Sequence, residues 1–200
     1  MASKKTPWHF LPEYTEERLS IIAAALLDVY HDTEQELSTS LDDNYTRGAT
    51  TFGRQRNKLI SMCMSGEYPW LELVNAAFDL ECKIGGMPFR FFSDDPDSPS
   101  KPGFWKSTGT LFPLNNNDPA HLRFVLEKPI DQASEAEVHF IGFNAVMEEV
   151  FRWRYQNDVS VVRAVDDQRP KAVTLAPASV QPRKSEEENS KKPEAGANSA

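Results

Sequence analysis

The sequence predicts an α+β domain, with N-terminal helices packed on a mostly antiparallel sheet and a flexible C-terminal tail. Three observations carry this. In the first third of the chain, apolar residues recur at steps of three and four, the spacing of one helix face. After about residue 78 the dominant period is two, that of half-buried strands. Residues 166–200 contain no Trp, Tyr or Phe, so the aromatic core lies wholly before them. Helices come first and strands later, and the regular alternation of a doubly wound fold is absent. The organisation expected is an N-terminal arm over 1–12, one globular domain over 13–165 and a tail over 166–200.

Pro7 to Pro12 brackets Trp8, Phe10 and Leu11 and predicts an extended arm pinned by its aromatics. Thr15 is a good N-cap, and Glu16 and Glu17 follow where the helix dipole favours negative charge. Leu19, Ile22, Leu26, Tyr30, Thr33 and Leu37 then predict an amphipathic helix to about Leu41, stopped by Asp42-Asp43-Asn44. A second helix is expected over Thr51–Met64, with Phe52, Leu59, Ile60, Met62 and Cys63 on its apolar side and Gly66 ending it. Pro69 suits the first turn of a short third helix over Trp70–Ala77.

Phe78–Ile84 and Met87–Phe92 around Gly85-Gly86 predict a β-hairpin, because glycine tolerates the positive φ of a tight turn. Ser93–Asn117 is a long loop rich in Asp, Pro, Ser, Gly and Asn, and Phe104, Trp105 and Phe112 are expected to anchor it. Strands are expected over His121–Glu127, Val138–Phe143, Glu149–Tyr155 and Val159–Val165, with a helix over Asn144–Val150 as an alternative. Beyond Val165, four prolines punctuate a polar segment that buries too little apolar surface to offset its ordering entropy. Val173 and Leu175 could add one edge strand, and disorder is expected after Gln181.

Net charge is −8. The tail carries Arg169, Lys171, Arg183, Lys184, Lys191 and Lys192 against Asp166, Asp167, Glu186, Glu187, Glu188 and Glu194, so the surplus sits on the domain. Such a domain lacks the global positive field of a general nucleic-acid binder. The longest apolar run, Ile21–Leu27, is far short of a membrane span, and the mixed segment after Lys5 predicts no signal peptide. Cys63 and Cys82 form no zinc-type spacing and read as two buried free thiols of a cytosolic protein.

Four groups are candidates for function. Arg47, Arg54, Arg56 and Lys58 can gather on one helix face and meet phosphates or an acidic protein, although pairing with Asp42, Asp43 and Glu67 explains them as well. A helix-turn-helix role for Phe52-Gly-Arg-Gln-Arg-Asn lacks a convincing short turn. In Glu149–Tyr155, Phe151, Trp153 and Tyr155 share one strand face, and Arg152 and Arg154 share the other; Phe89-Arg-Phe-Phe repeats the theme. An exposed face of this kind stacks single-stranded bases, and a buried one is ordinary core. Asp94-Asp-Pro-Asp offers carboxylates to a hard cation but lacks the EF-hand glycine and distal Glu, so a solvated turn is expected. His121 and His139 fall on expected strands, where either could work with Glu127 or Glu137 as an acid–base pair. No nucleophile elbow, P-loop or dinucleotide fingerprint accompanies them.

The reading that follows is a non-enzymatic, cytosolic interaction protein: an adaptor, inhibitor or accessory factor. It would meet a protein partner through the second helix and the long loop, with Arg47, Arg54, Arg56, Lys58, Arg152 and Arg154 as charges and Phe104 and Trp105 as apolar anchors. On this reading Trp105→Ala weakens capture without unfolding the domain. A nucleic-acid-binding module is the alternative, and a small metal-dependent hydrolase the third. No cofactor and no metal site are assigned.

Overall fold

The computed structural model describes residues 5–106, 117–129 and 134–156. They fall within the first of two units, Met1–Ser160, and the second unit, Val161–Ala200, lies outside the described residues. The strand expected over Val159–Val165, the edge strand at Val173 and Leu175, the anchor Phe112 and the tail also lie outside them.

The order is α1 (Pro7–Phe10), α2 (Glu16–Glu36), α3 (Asn44–Met64), then strands β1 (Leu71–Asn75), β2 (Glu81–Ile84), β3 (Met87–Ser93), β4 (His121–Glu127), β5 (Glu137–Phe143) and β6 (Glu149–Arg154). The six strands form one sheet in sequence order. Every neighbouring pair is antiparallel except β3–β4, which runs parallel from Phe89↔Leu122 to Ser93↔Leu126. The α+β class and the mostly antiparallel sheet are therefore as expected.

Two elements differ from the expectation, and the helical alternative after β5 is not adopted. The arm is not extended at its start: Pro7 sits at the first helical position, where its fixed φ suits a helix, and Leu11 N–H closes the single turn of α1 on Pro7 O. Trp8, Phe10 and Leu11 nonetheless pack against the main core. The helix expected over Trp70–Ala77 is strand β1, whose Leu71 is buried while Glu72 and Val74 face outward. Pairing with β2 decides its conformation, and a bulge between Leu73 and Asn75 interrupts the register. The segment after β5 is a turn rather than a helix: Asn144 Oδ1 accepts from the amides of Val146 and Glu148, and Met147 takes φ +69°.

The helix boundaries shift as well. α2 ends at Glu36, because Asp42 accepts from both the amide and the hydroxyl of Thr39 and turns the chain early. α3 begins at Asn44 rather than Thr51. The same aspartate run that stops one helix caps the next, since Asp43 accepts from Thr46 N at 2.7 Å.

One sheet face packs under the helices. Leu122, Phe124, Leu126, Val138, Phe140 and Phe151 meet Leu19, Ile22, Ala23, Leu26 and Leu59 there. Tyr14 stacks on Phe140 and donates to Met87 O at 2.5 Å; burial raises its hydroxyl pKa well above the ordinary range. Gly142 lies directly opposite Phe151, whose ring covers the space that a side chain would need. The other face holds a second cluster of Phe104, Val125, Ile141 and Phe143, with Phe92 and Trp105 against it.

The parallel pair explains the long loop. Antiparallel neighbours can be joined by a short turn, but parallel ones need a crossover from one end of the sheet to the other. Residues 94–106 and 117–120 are its described parts, and Phe104 and Trp105 lie over the second face. Arg123 holds it in place. Fully buried, it donates to the carbonyls of Phe104 at 2.8 Å and Lys106 at 3.0 Å, and to its own neighbour Leu122 at 2.9 Å.

Candidate functional site

The N-terminal half of α3, the turn before β2, the C-terminal half of β3 and residues 101–102 enclose a groove of about 690 Å³, within the size range of ligand sites. Its apolar wall is a chain of rings: Phe78 lies 5.1 Å from Phe52 between centroids, and Phe52 stacks on Phe91 at 5.4 Å. Phe91 is buried on β3, whereas Tyr45 and Phe78 are 82% and 79% exposed at the rim. Most exposed apolar residues need no explanation. Phe78 joins the core through Phe52, and Tyr45 stands exposed on the rim of the same groove, so two uncovered aromatics border it.

The groove carries positive charge. Lys101 and Lys128 line it, both exposed, and neither ammonium has a carboxylate within ion-pair distance among the described residues. Arg90, 6% exposed, also lines it. Its Nε lies 3.5 Å from the carboxylate of Glu81 and has no hydrogen-bond partner among the described residues. Glu81, Arg90 and Arg123 occupy one side of the sheet beneath the groove, two cations against one anion. Burial, and after it the nearby Arg90 charge, which outweighs the opposing effect of Glu81, together lower the Arg123 pKa to about 10. Asp79, the one carboxylate of the lining, is occupied by Lys106 at 2.5 Å, which holds its carboxyl below the usual range.

The residues singled out from the sequence fall elsewhere. Arg47 donates to Asp42 O at 2.7 Å and to Asn44 Oδ1 at 3.1 Å, closing the α2–α3 connection. Arg54 ties α3 to α2 through Glu36 at 2.5 Å. Arg56 donates to Ala77 O at 3.1 Å and also to Ala76 O. Lys58 alone of the four is exposed and without a partner among the described residues. The helix thus spends its arginines on internal contacts instead of a free basic face. Arg152 is engaged by Glu149 at 2.6 Å and Asp97 at 2.7 Å, and Arg154 by Glu137 at 3.2 Å. The aromatics of that strand, Phe151 and Trp153, belong to the main core.

Phe104 and Trp105 are second-face core residues: Phe104 is buried, and Trp105 packs edge-on against Phe104 and Phe143 with both centroids at 4.9 Å. Trp105→Ala is therefore expected to lower the melting temperature, by the equivalent of roughly 2–3 kcal/mol for a partly buried aromatic. Thermal denaturation of the variant checks this; an unchanged melting point would return Trp105 to the interface role.

The acidic loop is internally satisfied. Asp94 accepts from the amides of Ser100 and Lys101, both at 2.7 Å, so its carboxylate is the cap of its own loop. His121 and His139 do not meet: His121 pairs across from Phe143 at one end of β4–β5, and His139 from Val125 near the other. Burial, followed by the Arg123 charge, lowers the His121 pKa. His139 does meet carboxylates, Glu127 at 3.1 Å and Glu137 at 3.6 Å. The thiols of Cys63 and Cys82 are both free, with their sulfurs 3.8 Å apart.

Tyr45, Phe78, Lys101 and Lys128 were not singled out by the sequence. The one available signal was an aromatic set where no periodic pattern assigns a buried face: Tyr45 beside the aspartate run, and Phe78 within Asn-Ala-Ala-Phe-Asp. No described helix is long and apolar enough to cross a membrane. Comparison with protein-family models, with curated proteins and with solved structures finds no match to this chain.

Proposed function

We propose that this protein is a non-enzymatic interaction module that holds an acidic, aromatic-bearing segment of a protein partner in the groove between α3 and β3. The observation that carries the reading is the two exposed rings of Tyr45 and Phe78 on the rim of one groove that Lys101 and Lys128, with no described carboxylate partner, also line. An apolar side chain of the partner would lie on the Phe78–Phe52–Phe91 wall, where burying one ring contributes about 2 kcal/mol. A neighbouring carboxylate would meet Lys101 or Lys128 at the rim.

The charge argument is local. With a net charge of −8 the chain repels an acidic partner at long range, so affinity rests on ring burial and on the short-range contacts of the two lysines. Binding is accordingly expected to survive moderate salt, unlike the counterion-release behaviour of a nucleic-acid module.

Site-specific photo-cross-linking tests this. A benzophenone amino acid placed at position 45 or 78 of the full-length chain, in native host cells, is expected to trap one protein whose cross-linked peptide is acidic. The same probe at Met147, which is also exposed but far along the sheet, is the control. Adducts equal at all three positions, or none at 45 and 78, would contradict the proposal. Lys101→Glu combined with Lys128→Glu should reduce the adduct at least about tenfold, since each lost charge-assisted contact is worth about 1.5 kcal/mol or more.

A further inference from the structure

We propose that Glu127, Glu137 and His139 form a binding site for one divalent transition-metal ion of the zinc class. The three residues lie at the end of the β4–β5 pair, on the face away from the helices. Glu127 and Glu137 are directly opposed in the ladder, and His139 is next but one to Glu137 on the same face.

Three observations favour an ion. First, the donor atoms are already close to coordination geometry. Zinc bound tetrahedrally at about 2.0–2.2 Å by nitrogen and oxygen needs ligand atoms about 3.3–3.6 Å apart. His139 Nε2 is 3.1 Å from Glu127 Oε2 and 3.6 Å from Glu137 Oε2, and one donor atom from each residue lies within 4.8 Å of the others. Second, Glu127 and Glu137 are like charges directly opposite in the ladder, and a cation between them offsets the repulsion that the Arg154 contact to Glu137 leaves. Third, the site is walled on one side and open on the other: the His139 side chain is 7% exposed, and the carboxylates are 35% and 41% exposed. Glu127 also lines a cleft of about 280 Å³ with Ser93, Asp94, Asp95, Lys101 and Lys128, which gives an ion a route in. One imidazole and two carboxylates suit a borderline ion better than calcium or magnesium, which prefer all-oxygen sets. Three protein ligands leave a fourth position to water.

Two features limit the affinity. Arg154 holds both oxygens of Glu137, at 3.2 and 3.3 Å, and competes with the ion for that carboxylate. His139 Nδ1 is buried without an acceptor among the described residues, so the outer support that strengthens metal-bound histidines about 10–100-fold is missing. A dissociation constant in the micromolar range is expected.

The test uses untagged, full-length protein treated with a chelator and titrated with Zn²⁺ by calorimetry, alongside melting curves. The expected result is one equivalent bound and a higher melting temperature, because an ion that binds the native state stabilises it, with no effect from Mg²⁺ or Ca²⁺ at the same concentration. Glu127→Gln, a substitution at a half-exposed residue that keeps the shape, should weaken binding at least tenfold. Arg154→Gln should tighten it. Co²⁺ should give d–d bands without thiolate charge transfer, and Cys63→Ser should leave binding unchanged. No saturable zinc binding, binding indifferent to Glu127→Gln, or binding lost in Cys63→Ser would each overturn the site. None of these readouts depends on the partner groove.

Discussion

Arg123→Met is expected to destabilise the domain by about 3 kcal/mol, lowering the melting temperature by roughly 10 °C. Methionine fills much of the volume but donates no hydrogen bond. The carbonyls of Phe104 and Lys106, now held at 2.8 and 3.0 Å, would lose their donor inside the fold. An unsatisfied buried carbonyl costs about 1–3 kcal/mol. Part of this is offset, since the substitution also removes a buried charge and its repulsion with Arg90. Because Arg123 pins the crossover, limited proteolysis of the variant should cut first within residues 94–106. A variant as stable and as protease-resistant as the parent would show that Phe104 and Trp105 hold that segment without the arginine.

Gly142→Ala should cost about 2–3 kcal/mol, an unusually large effect for one added methyl group. The new Cβ would stand less than 3 Å from three atoms of the Phe151 ring. That ring has no empty space to move into: it is buried, 5.8 Å from Phe10 and 5.7 Å from Phe140 between centroids. The clash predicts coupling. In a Phe151→Leu background the same Gly142→Ala change should cost less than half as much, because the smaller side chain gives way. Equal costs in the two backgrounds, read from denaturant melts, would mean that the strands shift apart and the ring contact is not the cause.

Much of the fold was legible because local signals agreed with tertiary demand. Thr15 caps α2 with its side-chain oxygen, as its position before Glu16 and Glu17 implied. Gly85 takes φ +60° at the hairpin. β4, β5 and β6 match their alternation to within a residue at each end. The turn of α1 and the shifted ends of α2 and α3 rest on local bonds, of Pro7, Asp42 and Asp43, but for β1 and the crossover the deciding partner was distant in sequence. Leu71 and Leu73 fit a helix or a strand equally well until β2 pairs with them. Strand direction leaves no trace in periodicity, so the parallel β3–β4 pair and the crossover it requires were not visible, and Phe104 and Trp105 read as surface anchors.

The candidate site was less legible than the fold for the same reason. Arg47, Arg54 and Arg56 have helical spacing, but nothing local reveals that Asp42 O, Glu36 and Ala77 O await them. The groove draws Tyr45, Phe52, Phe78, Arg90, Lys101 and Lys128 from five segments that no linear spacing joins. His139 with Glu127 and Glu137 is the exception. Glu127 and Glu137 were named as acid–base partners for either His121 or His139, and the ladder register brings His139 to them and not His121.

The central claim is that the groove between α3 and β3 binds an acidic aromatic segment. Titrating ¹⁵N-labelled full-length protein with the blocked tripeptide Asp-Phe-Glu, followed by amide chemical shifts, tests it most directly. Saturable shifts confined to Tyr45–Phe52, Phe78–Leu80 and Arg90–Ser93, and abolished by Phe78→Ala, are the predicted result. Shifts that are absent, that spread to Val146 and Met147, or that persist unchanged in Phe78→Ala would contradict it.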